Sequence, residues 1–188
     1  MRAAIAIAIG LVACGNGDEQ VDLAGVYRVD SEAVADLQQG ATSCSDTQPI
    51  TGAPAYIRLD RIDAGSATAM APAGYYFRYA SCPDATGSGC VYDGGLGFFT
   101  DSFLDPVSGG WQTVAYGIDV DAGSCSVTAD FYTALLHGSA LAIEADDLRM
   151  AVGSGGSDEC TPTESEQLGS SMPCEGRTVV AATLVTPL

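Results

Sequence analysis

Period-two alternation of apolar and polar residues, broken at short intervals by clusters of Gly, Pro, Asp and Ser, runs through most of this chain. Strand side chains point alternately to two faces, so the pattern restricts the fold to half-buried strands joined by turns. Residues 111–120 carry it most cleanly: Val114, Tyr116, Ile118 and Val120 form an apolar face opposite Thr113, Ala115, Gly117 and Asp119. After the turn composition Asp121-Ala122-Gly123-Ser124, Cys125, Val127, Ala129, Phe131 and Leu135 alternate with Ser126, Thr128 and Asp130, which predicts a hairpin. His137-Gly138-Ser139 reverses the chain again before Leu141, Ile143 and Ala145. At Asp146-Asp147 the apolar role passes to Leu148, Met150 and Val152, and a bulge or tight turn is expected there.

Upstream, Leu23, Gly25, Tyr27 and Val29 share a face in a first strand, Ile57 and Leu59 in a second, and Tyr75, Phe77 and Tyr79 in a third. Residues 96–104 form a less regular strand, and 177–185 a last one, apolar on both faces. The single helical reading is 31–40, with Ser31 as N-cap, Val34 and Leu37 three apart, and Gly40 as the stop. The expected class is all-β: an antiparallel meander of eight or nine strands with one short helix, closed as a barrel or stacked as a sandwich.

The N-terminus is different. Arg2 precedes an apolar run, Ala3 to Ala13, too short to cross about 30 Å of hydrocarbon as a helix. It ends in Leu11-Val12-Ala13-Cys14, which resembles the lipobox of bacterial lipoproteins. That resemblance implies cleavage before Cys14, a diacylglycerol on its thiol and fatty acylation of the new amino terminus, enough for stable anchoring. Gly15 stands where Asp often holds lipoproteins at an inner membrane, so the resemblance implies an outer-membrane anchor in a bacterial envelope, facing the periplasm or the cell surface. The expected organisation is a signal over 1–13, a polar tether over 14–20 and one β domain over 21–188.

Beyond Cys14 the cysteines are Cys44, Cys82, Cys90, Cys125, Cys160 and Cys174, an even set that predicts three disulfides in an exported chain. Loop composition suggests Cys82 with Cys90 around PDATGSG, Cys160 with Cys174 around TPTESEQLGSSMP, and Cys44 with Cys125. The formal charge is −17 and no lysine is present, which argues against nucleic acid as a partner. Acidity on this scale serves solubility, with divalent cations or a basic protein as the sharper alternatives.

The opening Leu23-Ala24-Gly25-Val26-Tyr27 looks like the Gly-x-Trp that begins the first strand of lipocalins, with Tyr27 in place of tryptophan. The resemblance implies a barrel that carries a small apolar ligand. Tyr75, Phe77, Tyr79, Trp111 and Tyr116 are the candidate lining residues, with packed core as the plainer alternative. Arg58, Arg78 and Arg149 are candidate polar anchors, each equally readable as a surface ion pair.

Catalytic chemistry finds little support. No Gly-x-Ser-x-Gly elbow exists, His137 sits in an expected turn, and Ser154 and Ser157 read as loop residues, so neither an enzyme nor a cofactor is expected. The segment 119–130 has acids at three positions of an EF-hand loop, but Gly123 and Ser124 occupy the wrong places, leaving a hairpin as the better reading. Asp60, Asp63, Asp146 and Asp147 could serve a cation only if the fold gathers them, and no metal site is assigned. The expected role is binding or structural, with a protein partner or a small apolar ligand and no signal for oligomeric state. Three disulfides leave no free thiol among the six cysteines, so a thiol titration of the denatured, unreduced domain should read essentially zero; two or more thiols would contradict the pairing.

Overall fold

The computed structural model describes residues 20–37, 40, 42–65, 74–92, 102–121, 124–153 and 166–188. The signal segment, Cys14, most of the tether, Cys160, Ser154 and Ser157 lie outside the described residues. Ten strands form one antiparallel sheet: β1 Gly25–Asp36, β2 Gln48–Pro49, β3 Tyr56–Gly65, β4 Gly74–Cys82, β5 Ser102–Phe103, β6 Asp105–Val107, β7 Gly110–Asp121, β8 Ser124–His137, β9 Ala140–Gly153 and β10 Cys174–Pro187. The order β5-β4-β3-β1-β10-β9-β8-β7-β6, with the short β2 on β1, is a meander nearly closed into a barrel. The segment 102–107 joins its two ends, because Phe103 pairs with Phe77 on β4 while Asp105 pairs with Gln112 on β7. The barrel is the outcome, and the sandwich is set aside.

Residues 31–36, expected to begin a helix, continue β1. Ala33 to Asp36 pair with β10 from Val179 to Gly176, and Ala33 and Val34 also pair with β2. Two apolar residues three apart are a weak helical signal, and ladder bonds on both sides of the strand outweigh it. A helical turn is described instead at 166–171, ending in the 3-10 segment Gly169–Ser171.

Strand pairing fixes which residues meet inside. Trp111, Ala134, Ile143, Val180 and Glu32 form one cross-strand row on β7, β8, β9, β10 and β1; Thr113, Tyr132, Ala145, Thr178 and Val34 form the next. The upper half of the barrel, where β1 begins, is filled with Tyr27, Ile57, Leu59, Phe77, Tyr79, Phe103 and Trp111 around these rows. Phe77 and Trp111 meet edge to face at 5.1 Å, and Tyr75 packs on both at 5.7 and 5.2 Å. The N-terminal stretch closes this end: Leu23 is fully buried, the Trp111 indole donates to the Val21 carbonyl at 2.7 Å, and the Tyr27 hydroxyl donates to the Leu23 carbonyl at 2.8 Å. Burial, with Asp22 nearby, pushes the Tyr27 hydroxyl up to about 12, so it stays a donor. Gly110 is required where β7 starts, since a Cβ there would lie 1.9 Å from the Ala134 carbonyl oxygen.

The apolar faces of β7 and β8 point the other way from the sequence expectation. Trp111, Thr113, Ala115, Gly117 and Asp119 face inward, while Tyr116 and Ile118 lie exposed on the outside. On β8, Tyr132 and Ala134 enter the core, whereas Cys125, Val127 and Ala129 form an outer cluster with Leu148, covered by Leu168 and Met172. The β8–β9 ladder runs without a register shift through Asp146-Asp147; the irregularity expected there lies across the sheet on β10, between Cys174 and Gly176 opposite Leu148 and Asp147, where the apolar role moves from the inner face to the outer one.

Two disulfides are described. Cys82 is joined to Cys90 as expected, and Cys44 to Cys174 with Cα atoms 6.2 Å apart, which replaces both the Cys44–Cys125 and the Cys160–Cys174 assignments. Cys125 is disulfide-bonded as well. Loop polarity gave the wrong partner because β1 and β10 are adjacent, bringing the segment after β1 against the start of β10. Phe77→Ala should cost about 3–5 kcal/mol of stability, as truncation of packed aromatics does, and Tyr116→Ala about 1 kcal/mol or less; denaturant unfolding of the two variants checks the inverted faces.

Candidate functional site

Below the row of Tyr132 the inside of the barrel changes character. The next row is Asp36, Gly176, Asp147, Asp130 and Ala115 on β1, β10, β9, β8 and β7. Beneath it come Arg149, Thr128 and Gly117, then Ser126 and Asp119. The strands continue unbroken, so these polar side chains line the lower mouth by the same alternation that buries Trp111 and Ile143 above. A pocket of about 490 Å³ opens among Ala115, Gly117, Asp119, Thr128, Asp130 and Arg149, within the size range of small-ligand sites. Glycine keeps it open: a Cβ on Gly117 would fall 2.7 Å from Thr128 Oγ1.

Asp130 and Asp147 are cross-strand partners whose carboxyls hydrogen-bond to each other. Burial, reinforced by the Asp147 charge, pushes Asp130 from 3.8 up to about 6. Asp147 is also raised, first by burial and then by Glu175, while Arg149 pulls it down; the Asp36 charge adds a smaller upward push across Gly176. Two carboxyls this close cannot both ionise without cost, and the pair holds a proton that an isolated aspartate would have released. Arg149 is already engaged: its guanidinium donates to Asp119 at 2.7 Å and lies 3.8 Å from Glu175.

One row above the Val34 level sits Glu32, 8% exposed, facing the same interior as its cross-strand partner Val180. Its Oε2 has no hydrogen-bond partner, and burial raises its pKa. A buried, incompletely paired carboxyl is costly to a fold.

The residues singled out from the sequence are distributed differently. Phe77, Tyr79 and Trp111 are packed core, Tyr75 joins them from the rim beneath the Arg61 guanidinium at 3.7 Å, and Tyr116 lies outside against Phe131. Arg58 and Arg78 are on the outer face. There Arg58 binds Asp60 and the Gly87 carbonyl of the disulfide loop, and Arg78 stacks over Tyr92, whose hydroxyl donates to Asp60. Arg149 alone of the three reaches the interior. Asp146 holds Arg177 on the outside, at 2.6 and 2.9 Å. The 119–130 segment is the β7–β8 hairpin, with its acids on two strands, and among the described residues no three Asp, Glu, His or Cys could hold a metal ion. His137 is exposed beside the β8–β9 turn. Sequence reading placed Glu32 and Asp36 in a helix, and it set Asp130 on the polar alternate of a strand and at the end of a disfavoured calcium loop without making it a site residue. The usable signal was the polar alternate of each strand, Thr113 to Asp119 and Ser126 to Asp130.

Compared with protein-family models, curated proteins and solved structures, the chain matches none.

Asp130 has a testable linkage. Its raised pKa means the folded state holds the proton more tightly than the unfolded chain, so its contribution is full below about 3.8 and is lost as pH rises through about 6. Discounted for solvent screening at the mouth, the loss is about 1 kcal/mol. Asp130→Asn should therefore raise the midpoint of thermal unfolding at neutral pH and flatten the dependence between pH 4 and 6; scanning calorimetry across that range checks it.

Proposed function

We propose that this protein is a lipid-anchored binding protein of a bacterial envelope, held to the membrane through Cys14, whose ligand enters the lower mouth of the barrel. The observation that carries the binding reading is the pocket of about 490 Å³ on an inner face that turns from apolar to polar halfway down the strands. A protein with only a structural role gains nothing from burying Glu32 and pairing two carboxyls, because each destabilises the fold. The carrier reading for a purely apolar ligand loses ground, since the aromatics that would line its cavity pack on one another. A second reading, a protein partner on the outer face of β7, draws on Tyr116 and Ile118, which are 39% and 43% exposed there. The envelope address rests on the lipobox-like Leu11-Val12-Ala13-Cys14, and a folded domain released from a short polar tether would still reach ligands around it.

Expression of Cys14→Ser in a bacterial host tests the anchor. The variant should appear in the soluble fraction or as a precursor that keeps residues 1–13, whereas the parent stays with membranes and carries a lipid mass on Cys14. An unmodified Cys14 thiol in mature, membrane-fractionated parent protein would refute the anchoring.

A further inference from the structure

We propose that the upper rim of the barrel rests on the bilayer that holds Cys14, with Val185 and Leu188 as its apolar contacts, so that the lower mouth opens away from the membrane. The inference rests on the anchored reading above and adds which face of the domain meets the lipid.

The length of the tether and the place where it joins the fold carry the proposal. Gln20 belongs to the upper end, because the next residue, Val21, accepts the Trp111 indole and Leu23 accepts the Tyr27 hydroxyl. Cys14 precedes Gln20 by six residues, a reach of about 21 Å at full extension. From His137 down to Ser126 on β8 is about 36 Å along the strand, and about 28 Å along the axis at an ordinary barrel tilt. The tether is too short to pass down the wall, so the lower mouth cannot turn to a bilayer that holds Cys14.

The composition of the rim is an independent observation. Backbone hydrogen bonds join its segments: Leu136 donates to the Gly109 carbonyl at 2.9 Å, Leu184 to Ser139 at 2.8 Å and Leu188 to Ala24 at 3.4 Å. Residues 107–110, 137–140 and 184–188, which form it, include no Asp or Glu, although the chain has 24 of them. Val185 and Leu188 stand out from this rim, 49% and 59% exposed, where pairing of β1 with β10 ends. Beside them Asp22 and Asp63 each lie 3.9 Å from the Arg61 guanidinium, which offsets part of their charge. The opposite end gathers Asp36, Asp119, Asp130, Asp147 and Glu175 against Arg149. Anionic headgroups repel that end and leave the uncharged rim free to approach.

Two apolar side chains bind lipid too weakly to hold a free domain. An anchored domain is confined beside the surface, where a short flexible link gives an effective concentration of about millimolar, and a weak contact then suffices to orient it.

Amide NMR of the mature lipoprotein tests the orientation, in phosphatidylcholine nanodiscs whose headgroups carry chelated gadolinium. Amides of 107–110, 137–140 and 184–188 should lose intensity, while those of 126–130 and 147–149 keep it. The double variant Val185→Glu, Leu188→Glu should even out the losses between the two ends, with an unchanged midpoint of unfolding because both side chains are exposed. The Cys14→Ser domain should show no loss at either end. Equal broadening of both ends in the parent, greater broadening at the lower mouth or along 114–118, or a rim signal indifferent to the double variant would overturn the docked rim. So would a soluble Cys14→Ser domain that sediments as a dimer and is split by the double variant, which would assign the rim to a second copy of the chain. A Cys14 that carries no lipid would overturn the anchor and the docked rim together, whereas a lipidated Cys14 with both ends equally broadened would overturn the rim and keep the anchor.

Discussion

Pairing of the first long strand with the last is the interaction on which the rest of this fold depends. β1 and β10 run antiparallel from Gly25 opposite Pro187 to Asp36 opposite Gly176, joining the two ends of the domain. Without that ladder the meander would be an open sheet with two long unpaired edges, and no residue would have a defined inside. Closure also sets the seat for the N-terminal stretch, whose Leu23 and Val21 cap Tyr27 and Trp111. The Cys44–Cys174 disulfide ties the segment after β1 to the start of β10, closing a separation of 130 residues, where a covalent link removes most from the freedom of the unfolded chain.

Once the barrel is closed, alternation has a consequence that no strand shows alone. Inward positions continue down β7, β8 and β9 past the point where apolar residues stop occupying them. The upper rows pack Trp111, Ile143 and Val180; the lower rows present Asp130, Arg149 and Asp119 to a pocket. The apolar residues of the lower strands, Val127, Ala129 and Leu148, turn outward and are covered by Leu168 and Met172. A barrel of about eight strands is just wide enough to be filled or to hold one small ligand, and this one divides those outcomes along its axis.

That division bears on energetics. The filled half supplies hydrophobic stabilisation of about 1.5–3 kcal/mol for each large side chain removed from water. Glu32 and the Asp130–Asp147 pair act against it, since burial raises the pKa of all three carboxyls.

The sequence by itself determined the strands, most of the turns and the residues that would be buried near the upper end. Those follow from local physics: alternation, Gly and Asp in turns, and the short PDATGSG loop that leaves Cys82 and Cys90 within reach of each other. Tertiary structure decided which face of each strand is inside. Val127 and Asp130 each lie on a well-formed alternating face, and only closure of β1 on β10, together with the cover from Leu168 and Met172, chose the polar one for the interior. The same contacts turned residues 31–36 from a helix into strand and gave Cys44 its partner. Pairings across more than a hundred residues leave no local trace, because their physical cause is the neighbour across the sheet and not the neighbour along the chain.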